Sequence, residues 1–319
     1  MSRRNRYLWI VLGVAIAFVA IPIAMSSIVV APQRLYPGGA TPGGYTRSLI
    51  LFVLPVTAYL VWFAITKRKD RRRRTPFLIT IGIIAVAWTV LDTLLARSFF
   101  TFPDPDATLG FNIPGWDPET GWGLNVPIEE LLFYVLGALF LVLSYIWASE
   151  AWFPDRDLNE EDYHGVWPGW KGFVVPSILL GGALAIVAAV VVKQFTSAPG
   201  WFPGYFTFIV IFVAVPSLMI FRVGFRFINL PAFQFTVLTI VIIAMLWEVT
   251  LALPYGWWGY RPSQMIGLFI RPWSDLPIEA AMLWVAAAWS NVSTYELARL
   301  WYHRNEPAAA QSGLGVEVG

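Results

Sequence analysis

The sequence predicts an all-α membrane protein of about eight transmembrane helices, built as two tandem homologous four-helix halves. Composition is the first observation: 57% of the 319 residues are apolar and 13% are charged, whereas soluble domains carry about 25% charged residues. The second is that apolar runs of about 20 residues, the length that crosses a bilayer, recur along the chain. The third is a motif of the first half that returns in the second.

Eight apolar segments are long enough to span a membrane. They lie near residues 7–30, 49–66, 77–96, 127–148, 173–192, 205–221, 232–253 and 275–299. The first is too long for a signal peptide, and no clean cleavage site follows it.

Basic residues predict the orientation, because Lys and Arg are retained on the cytoplasmic side. The N-terminal SRRNR, the run KRKDRRRR at 67–74, the segment after the sixth span and the C-terminal tail are basic. With eight spans, all four lie on one side. We therefore expect a multi-pass protein of the cell membrane with both termini in the cytoplasm.

The internal repeat has the same order of elements in both halves. In the first half, WTVLD (88–92) is followed by TLGFNI and NVPIEELLFYVL. In the second half, LWEVT (246–250) is followed by MIGLFI and DLPIEAAMLWVA. Each copy therefore has an acid late in one span, an aromatic loop, a glycine step, and Pro-Ile-Glu opening the next span.

The spacing of the repeat defines the predicted domains. It is 157 residues from Gly110 to Gly267 and 150 residues from Glu129 to Glu279. We expect a first repeat at 1–150, a second repeat at 151–305 and a disordered tail at 306–319. Four spans per half make the halves parallel, so an axis along the membrane normal relates them and a site is expected between them.

Five carboxylic acids are expected at one level of the membrane. The third and seventh spans run outward and carry Asp92 and Glu248 near their ends, whereas the fourth and eighth run inward and begin with Glu129, Glu130 and Glu279. Proline and acids are also ordinary features of a helix start, which explains each motif taken alone. An ionisable residue inside a membrane segment is by default a candidate functional residue, and the recurrence in both halves favours function.

Aromatic residues are dense around these acids. The loops at 97–126 and 254–274 carry many rings, which in part form the aromatic belt typical of membrane interfaces. Aromatic faces also attract cations, by up to about 2 kcal/mol each when desolvated. The rings expected to contact the substrate and stabilise a carbocation are Trp88, Trp116, Trp122, Phe133, Trp257, Trp258 and Tyr260.

The sequence disfavours several other kinds of site. It has no cysteine, and its two histidines, His164 and His303, lie in polar segments, so no metal site is expected in the membrane. The four lysines lie outside the span interiors, which argues against a lysine that forms a Schiff base with retinal. No strand pattern and no glycine-rich nucleotide motif is present, so no cofactor is expected. The Glu129–Glu130 pair also lacks the arginine and the membrane histidines of intramembrane glutamate proteases.

In these motifs the sequence resembles the small integral-membrane lycopene cyclases, both the heterodimeric bacterial type and the cyclase part of the fungal bifunctional enzymes. Their mark is a Pro-x-Glu-Glu element that opens a membrane helix in each of two homologous halves, after an aromatic loop and a Leu-Gly step. The resemblance covers roughly residues 45–150 and 200–300. It implies closure of the acyclic ends of lycopene to β-rings without net redox or cofactor. The implied partners are a lipophilic carotenoid, membrane lipid and other carotenoid enzymes, with no nucleic acid.

The second half departs from the family pattern. The first half has PIEE at 127–130 and the second has PIEA at 277–280, so Ala280 stands where the family has its second glutamate. Relatives that cyclise C50 carotenoids are similar in fold, and hydration of the same alkene begins with the same protonation. C50 carotenoid cyclase and carotenoid hydratase are therefore alternative functions. A transporter or non-catalytic membrane partner is the alternative of another class, because inward-facing acids in a duplicated bundle fit it too.

The expected mechanism begins with a proton delivered to the C1=C2 alkene of the end group. The C5=C6 bond then attacks the C1 cation, and a proton is lost from C6. Burial disfavours the charged form of a carboxyl group, which can then donate a proton at neutral pH, and neighbouring carboxyls share one proton. Glu129 is expected to be the acid or its partner, with Glu130 beside it. Asp92 and Glu248 would relay protons or stabilise the cation, and Glu279 would be the counterpart in the second half.

Overall fold

The computed structural model describes residues 41–68, 70–154 and 172–305. Long helices dominate these ranges. They are α1 (Gly44–Thr66), α2 (Arg71–Phe99), α3 (Ile128–Ala151), α4 (Pro176–Gln194), α5 (Gly204–Gly224), α6 (Leu230–Tyr255) and α7 (Ile278–Asn305). The helices α1 to α6 are long and apolar enough to cross a membrane. The protein is therefore an all-α membrane protein, as the sequence predicts.

Seven of the eight predicted spans coincide with these helices. The predicted span at 7–30 and the predicted tail at 306–319 lie outside the described residues. The predicted eighth span corresponds to α7, which is not among the helices apolar enough to cross a membrane. Its Glu296 and Arg299 are buried and paired at 3.1 Å. This helix also extends to Asn305, so His303 is buried in its last turn and not in a polar segment after the spans.

The helices α3 and α7 form the centre of the bundle. Of the most apolar stretch of α3, 67% of the residues are buried, against 11% for α4. Helix α2 packs on α3 and α7, and α6 packs on α7 and α3; likewise α1 packs on α3 and α5 packs on α7. Each helix contact of the first half therefore has a counterpart in the second half.

Short strands lie in the two segments that join α2 to α3 and α6 to α7. They are β1 (Phe100–Thr101), β2 (Asn112–Asp117), β3 (Gly121–Pro127), β4 (Gly259–Tyr260), β5 (Phe269–Ile270) and β6 (Leu276–Pro277). All pairs are antiparallel: β2 with β3, β5 with β6, and β1 with β4, which joins the halves. We call the end of the bundle that carries these segments the loop end.

The strands correct the prediction that the chain contains no strand pattern. The β2–β3 hairpin is too short and too rich in glycine to show a clear alternation of apolar and polar residues. It is held by the facing pair Trp116 and Trp122, since aromatic pairs across strands stabilise a sheet. Its turn ends at Gly121, whose φ of 78° favours a residue without a Cβ atom.

The two loop segments repeat the same backbone contacts at the spacing seen in the sequence. The N–H of Ile128 donates to the carbonyl of Phe111 at 2.8 Å, and the N–H of Ile278 donates to that of Leu268 at 3.1 Å. Gly110 and Gly267 precede these carbonyls with φ values of 76° and 97°. The repeat therefore describes two similar three-dimensional units.

Asp117 in β2 ties the loops of both halves together. Its Oδ2 atom lies 3.0 Å from Arg97 Nε at the end of α2 and 3.3 Å from an Arg261 nitrogen after β4. Burial raises the pKa of Asp117, but hydrogen bonds from the Glu119 N–H and Arg97, with the positive charges of Arg97 and Arg261, outweigh it. The pKa of this carboxyl therefore lies below its usual range.

We expect Asp117→Asn to lower the thermal stability of the detergent-solubilised protein at neutral pH. A lowered folded-state pKa stabilises the fold above the unfolded pKa, about 3.9 for aspartate, and this stability is lost as pH falls through the folded pKa. The gap in Tm between wild type and variant should therefore narrow between about pH 5 and about pH 3. The exposed Glu119→Gln change is the control, and a gap independent of pH would contradict this account.

Candidate active site

The five predicted acids are all buried at the loop end. Their exposed fractions lie between 0% and 4%, in segments that otherwise face apolar surroundings. The acids come from four helices: Asp92 from α2, Glu129 and Glu130 from α3, Glu248 from α6 and Glu279 from α7. Their hydrogen bonds divide them into two sets with different surroundings.

The first set consists of Glu129 and Glu279, which we call the loop acids. Glu129 Oε1 accepts hydrogen bonds from the Leu109 N–H at 2.7 Å and from the Thr46 hydroxyl at 2.5 Å. Glu279 Oε1 accepts from the Ile266 N–H at 2.5 Å. In each loop acid the other oxygen, Oε2, is buried without a partner among the described residues. Each loop acid therefore fastens its loop to the start of the following helix.

The second set consists of Asp92, Glu130 and Glu248, which we call the inner acids. Glu130 accepts a hydrogen bond from the Tyr45 hydroxyl at 2.8 Å, and the Tyr134 hydroxyl also lies within reach. Asp92 interacts electrostatically with Glu130, and its Oδ2 atom is buried without a partner in the described ranges. Two buried carboxyls that repel each other do not readily ionise together, so at most one of the pair is expected to carry a charge.

Glu248 is the inner acid of the second half. It accepts hydrogen bonds from the Tyr260 hydroxyl at 2.7 Å and from the Trp284 indole at 3.1 Å, and it interacts with Glu130. It begins a π-helical turn, Glu248–Ala252, inside α6. Such turns are frequent at functional sites. Each half therefore holds its inner acid with hydrogen bonds from its own residues.

Four of the predicted rings surround the inner acids. Trp88 stacks on Tyr134 with centroids 4.7 Å apart and planes 4° apart. Phe133 meets the edge of Trp284 at 5.3 Å. Trp258 packs against Tyr260 at 4.8 Å, and Tyr260 contacts Glu248 directly.

The other three predicted rings make contacts that do not involve the inner acids directly. Trp116 and Trp122 face each other across the β2–β3 hairpin and are 39% and 62% exposed. Trp257 donates from its indole to the Thr41 hydroxyl and packs on Tyr255. These rings are close to the acids in sequence, but the hairpin and the local turn direct them elsewhere.

Five buried aromatic residues complete the enclosure and were not singled out in the sequence. They are Tyr45, Tyr134, Tyr205, Trp247 and Trp284. The repeat contained a signal for four of them. Tyr134 and Trp284 are 150 residues apart, the spacing of the glutamate motif, and Tyr45 and Tyr205 each follow the glycine that opens α1 and α5.

Two openings are lined by rings of the site. A narrow crevice between α2, α3 and α7 is lined by Trp88, Tyr134, Trp284 and the small residues Gly137 and Ala287. Gly137 keeps it open, because a Cβ atom there would lie 3.1 Å from the Trp284 ring. At the loop end, a cavity of about 510 Å³ is lined in part by Trp258 and Tyr260. The rings that enclose the inner acids therefore separate these acids from both openings.

Fold and site together define a multi-helix membrane protein with a buried carboxyl cluster, enclosed by aromatic rings, between two related halves. The chain matches none of the protein-family models, curated proteins or solved structures compared with it. The function is therefore argued from the chemistry of the site.

We expect both Glu129→Ala and Glu279→Ala to destabilise the protein. Glu279→Ala leaves the buried Ile266 N–H without its acceptor, at a cost of about 1–3 kcal/mol. Glu129→Ala removes the acceptor of the part-buried Leu109 N–H and of the Thr46 hydroxyl. Thermal unfolding in detergent measures the loss, with the exposed Glu119→Ala as control. The matching Gln variants keep a carbonyl acceptor and should lose less. Unchanged Tm in both Ala variants would contradict the proposal that the loop acids fasten the loops.

Proposed function

We propose that this protein protonates the acyclic ends of lycopene or a related carotenoid and closes β-type rings through a carbocation. The observation that carries the proposal is the set of inner acids, buried between the two halves and enclosed by aromatic rings. A proton donor, an enclosure that stabilises cations and an acceptor for the departing proton are the requirements of this isomerisation. The resemblance of the Pro-Ile-Glu elements to lycopene cyclases points to the same chemistry.

The contacts favour Glu130 and Asp92 as the pair that holds the proton. The predicted donor Glu129 is engaged by a backbone N–H and a threonine hydroxyl at a helix start. Glu130 accepts a hydrogen bond from the Tyr45 hydroxyl and interacts electrostatically with Asp92, whose Oδ2 atom lacks a partner in the described part of the chain. A neutral carboxyl in an apolar enclosure is a suitable general acid.

The rings and Glu248 account for the later steps. The proton from Glu130 forms a bond to C2, the C5=C6 electron pair forms the C1–C6 bond, and the proton on C6 leaves. The stacked pair Trp88–Tyr134 and the ring of Phe133 offer aromatic faces to the cation. Glu248, held by Tyr260 and Trp284, is the acceptor for the departing proton. Substrate and product have the same atoms, so no redox partner is needed.

The experiment is expression in lycopene-accumulating cells followed by pigment analysis. We expect wild-type protein to yield cyclised carotenoid, and Glu130→Gln or Asp92→Asn to lower its formation by roughly 10²–10⁴-fold, the usual contribution of a general acid. Glu129→Gln, which keeps an acceptor for Leu109, should retain much more activity.

Two results would count against this assignment. Unchanged lycopene, with wild-type protein present in the membrane, would remove the cyclase function. Loss of product in Glu129→Gln but not in Glu130→Gln would show that Glu129 is the proton donor. Tm values of all three variants separate loss of chemistry from loss of folding.

The proposed location is the cell membrane, with the loop end outside and both termini in the cytoplasm. The chain has no cysteine, so single cysteines report the side directly. We expect Glu119→Cys, in the exposed hairpin turn, to react with a membrane-impermeant maleimide in intact cells. Arg226→Cys, after α5, should react only after permeabilisation. The reverse pattern would invert the orientation.

A further inference from the structure

The two halves differ at one buried position of the site. Glu130 and Ala280 follow the loop acids at the same spacing of 150 residues, and their exposed fractions are 2% and 1%. In the first half, Tyr45 at the start of α1 donates its hydroxyl to Glu130. The counterpart of Tyr45 in the second half is Tyr205, at the start of α5. Ala280 has no side-chain acceptor for it.

The Tyr205 hydroxyl is buried without a hydrogen-bond partner among the described residues. The residue is 1% exposed, and its ring packs on Phe99 and Phe100 at 5.1 and 5.3 Å. The ring of Tyr205 also contacts that of Tyr260, with centroids 6.0 Å apart, and Tyr260 donates its hydroxyl to Glu248. Buried polar atoms of proteins are nearly always hydrogen-bonded, so we expect the Tyr205 hydroxyl to bind an acceptor that is not part of the described residues.

A second buried donor lies in the same group of rings. The Trp258 indole N–H has no partner in the described ranges, and the residue is 4% exposed. Trp258 and Tyr205 both contact Phe100, at 5.1 and 5.3 Å, and both contact Tyr260, at 4.8 and 6.0 Å. Tyr260 in turn donates to Glu248. Two unpartnered donors therefore flank the inner acid of the second half.

We propose that Tyr205 and Trp258 bind an oxygen atom beside Glu248, in the second-half position where the first half holds its second carboxyl. This inference rests on the proposed function and gives the second half its own role. The bound group is a hydrogen-bond acceptor oxygen that belongs either to water or to an oxygenated carotenoid end. The first half then supplies the proton, and the second half determines which oxygen lies beside the cation.

Each source of the oxygen has a defined consequence. Water in this position would attack the C1 cation, forming a C1–O bond while Glu248 takes its proton, so that substrate plus water gives a tertiary alcohol. An oxygen of the carotenoid would instead accept hydrogen bonds from Tyr205 and Trp258 and seat an oxygenated end group.

A double-mutant cycle tests whether Tyr205 faces position 280. We expect Tyr205→Phe to have little effect on Tm in the wild-type background, because its hydroxyl has no hydrogen-bond partner in the described ranges. In the Ala280→Glu background the same change should lower Tm, since it removes the donor to the new carboxyl. Ala280→Leu is the control, with similar size and no acceptor. An equal effect of Tyr205→Phe in the Glu and Leu backgrounds would overturn the placement.

Two measurements test the bound oxygen and its source. In lycopene-accumulating cells grown in H₂¹⁸O, labelled hydroxylated carotenoid that falls about tenfold in Tyr205→Phe and Trp258→Phe identifies water. Preferential retention of a hydroxylated lycopene derivative over lycopene by the purified protein, lost about tenfold in both variants, identifies an oxygen of the ligand. A tenfold change corresponds to about 1.4 kcal/mol, the size of one hydrogen bond.

The controls keep this proposal separate from the proposed function. Trp257→Phe, an adjacent indole that bonds Thr41, should leave product ratio and retention unchanged, and Tyr45→Phe should lower total product. If wild-type protein forms no product, the comparison of carotenoid retention still tests whether Tyr205 and Trp258 bind an oxygen. Unchanged product ratio and equal retention of both carotenoids in wild type and variants would overturn the oxygen site.

Discussion

The structure depends on one constraint: polar groups buried in a membrane bundle must find their partners within the protein. Hydrocarbon offers no hydrogen bonds and does not solvate charge. The three solutions seen here are backbone N–H groups for the loop acids, aromatic hydroxyls and an indole for Glu130 and Glu248, and an ion pair for Glu296 and Arg299. The atoms that none of these satisfy mark the positions where a ligand can act.

The loop acids hold the site together, although their hydrogen bonds to the loops make them less suitable as proton donors than the inner acids. By fastening Leu109 and Ile266 to the starts of α3 and α7, they fix two similar loops over the ends of four helices. The β1–β4 pair then joins the loops across the halves. This arrangement keeps the inner acids buried under the two loops, and the amount of water admitted there decides between ring closure and hydration of a cation.

Duplication with one difference gives the halves separate roles. Glu130 and Asp92 interact electrostatically in the first half, whereas in the second half Ala280 offers no acceptor and the Tyr205 hydroxyl has no partner among the described residues. A pseudo-symmetric scaffold can thus present an acid on one side and hydrogen-bond donors on the other. Glu248, held by Tyr260 and Trp284, lies between these two environments.

The sequence by itself determined the membrane fold class, six of the spans, the repeat and the burial of the five acids, because hydrophobic length and motif spacing are local properties. It did not separate Glu129 from Glu130, because neighbouring residues on a helix point about 100° apart and only packing decides what each one contacts. It also grouped Trp116 and Trp122 with the acids, although both are exposed on the β2–β3 hairpin, since ring density in a loop does not reveal a hairpin. Only the tertiary structure brought Tyr45 and Tyr205, far away in the chain, against the acid cluster, because such contacts depend on how the two halves pack together.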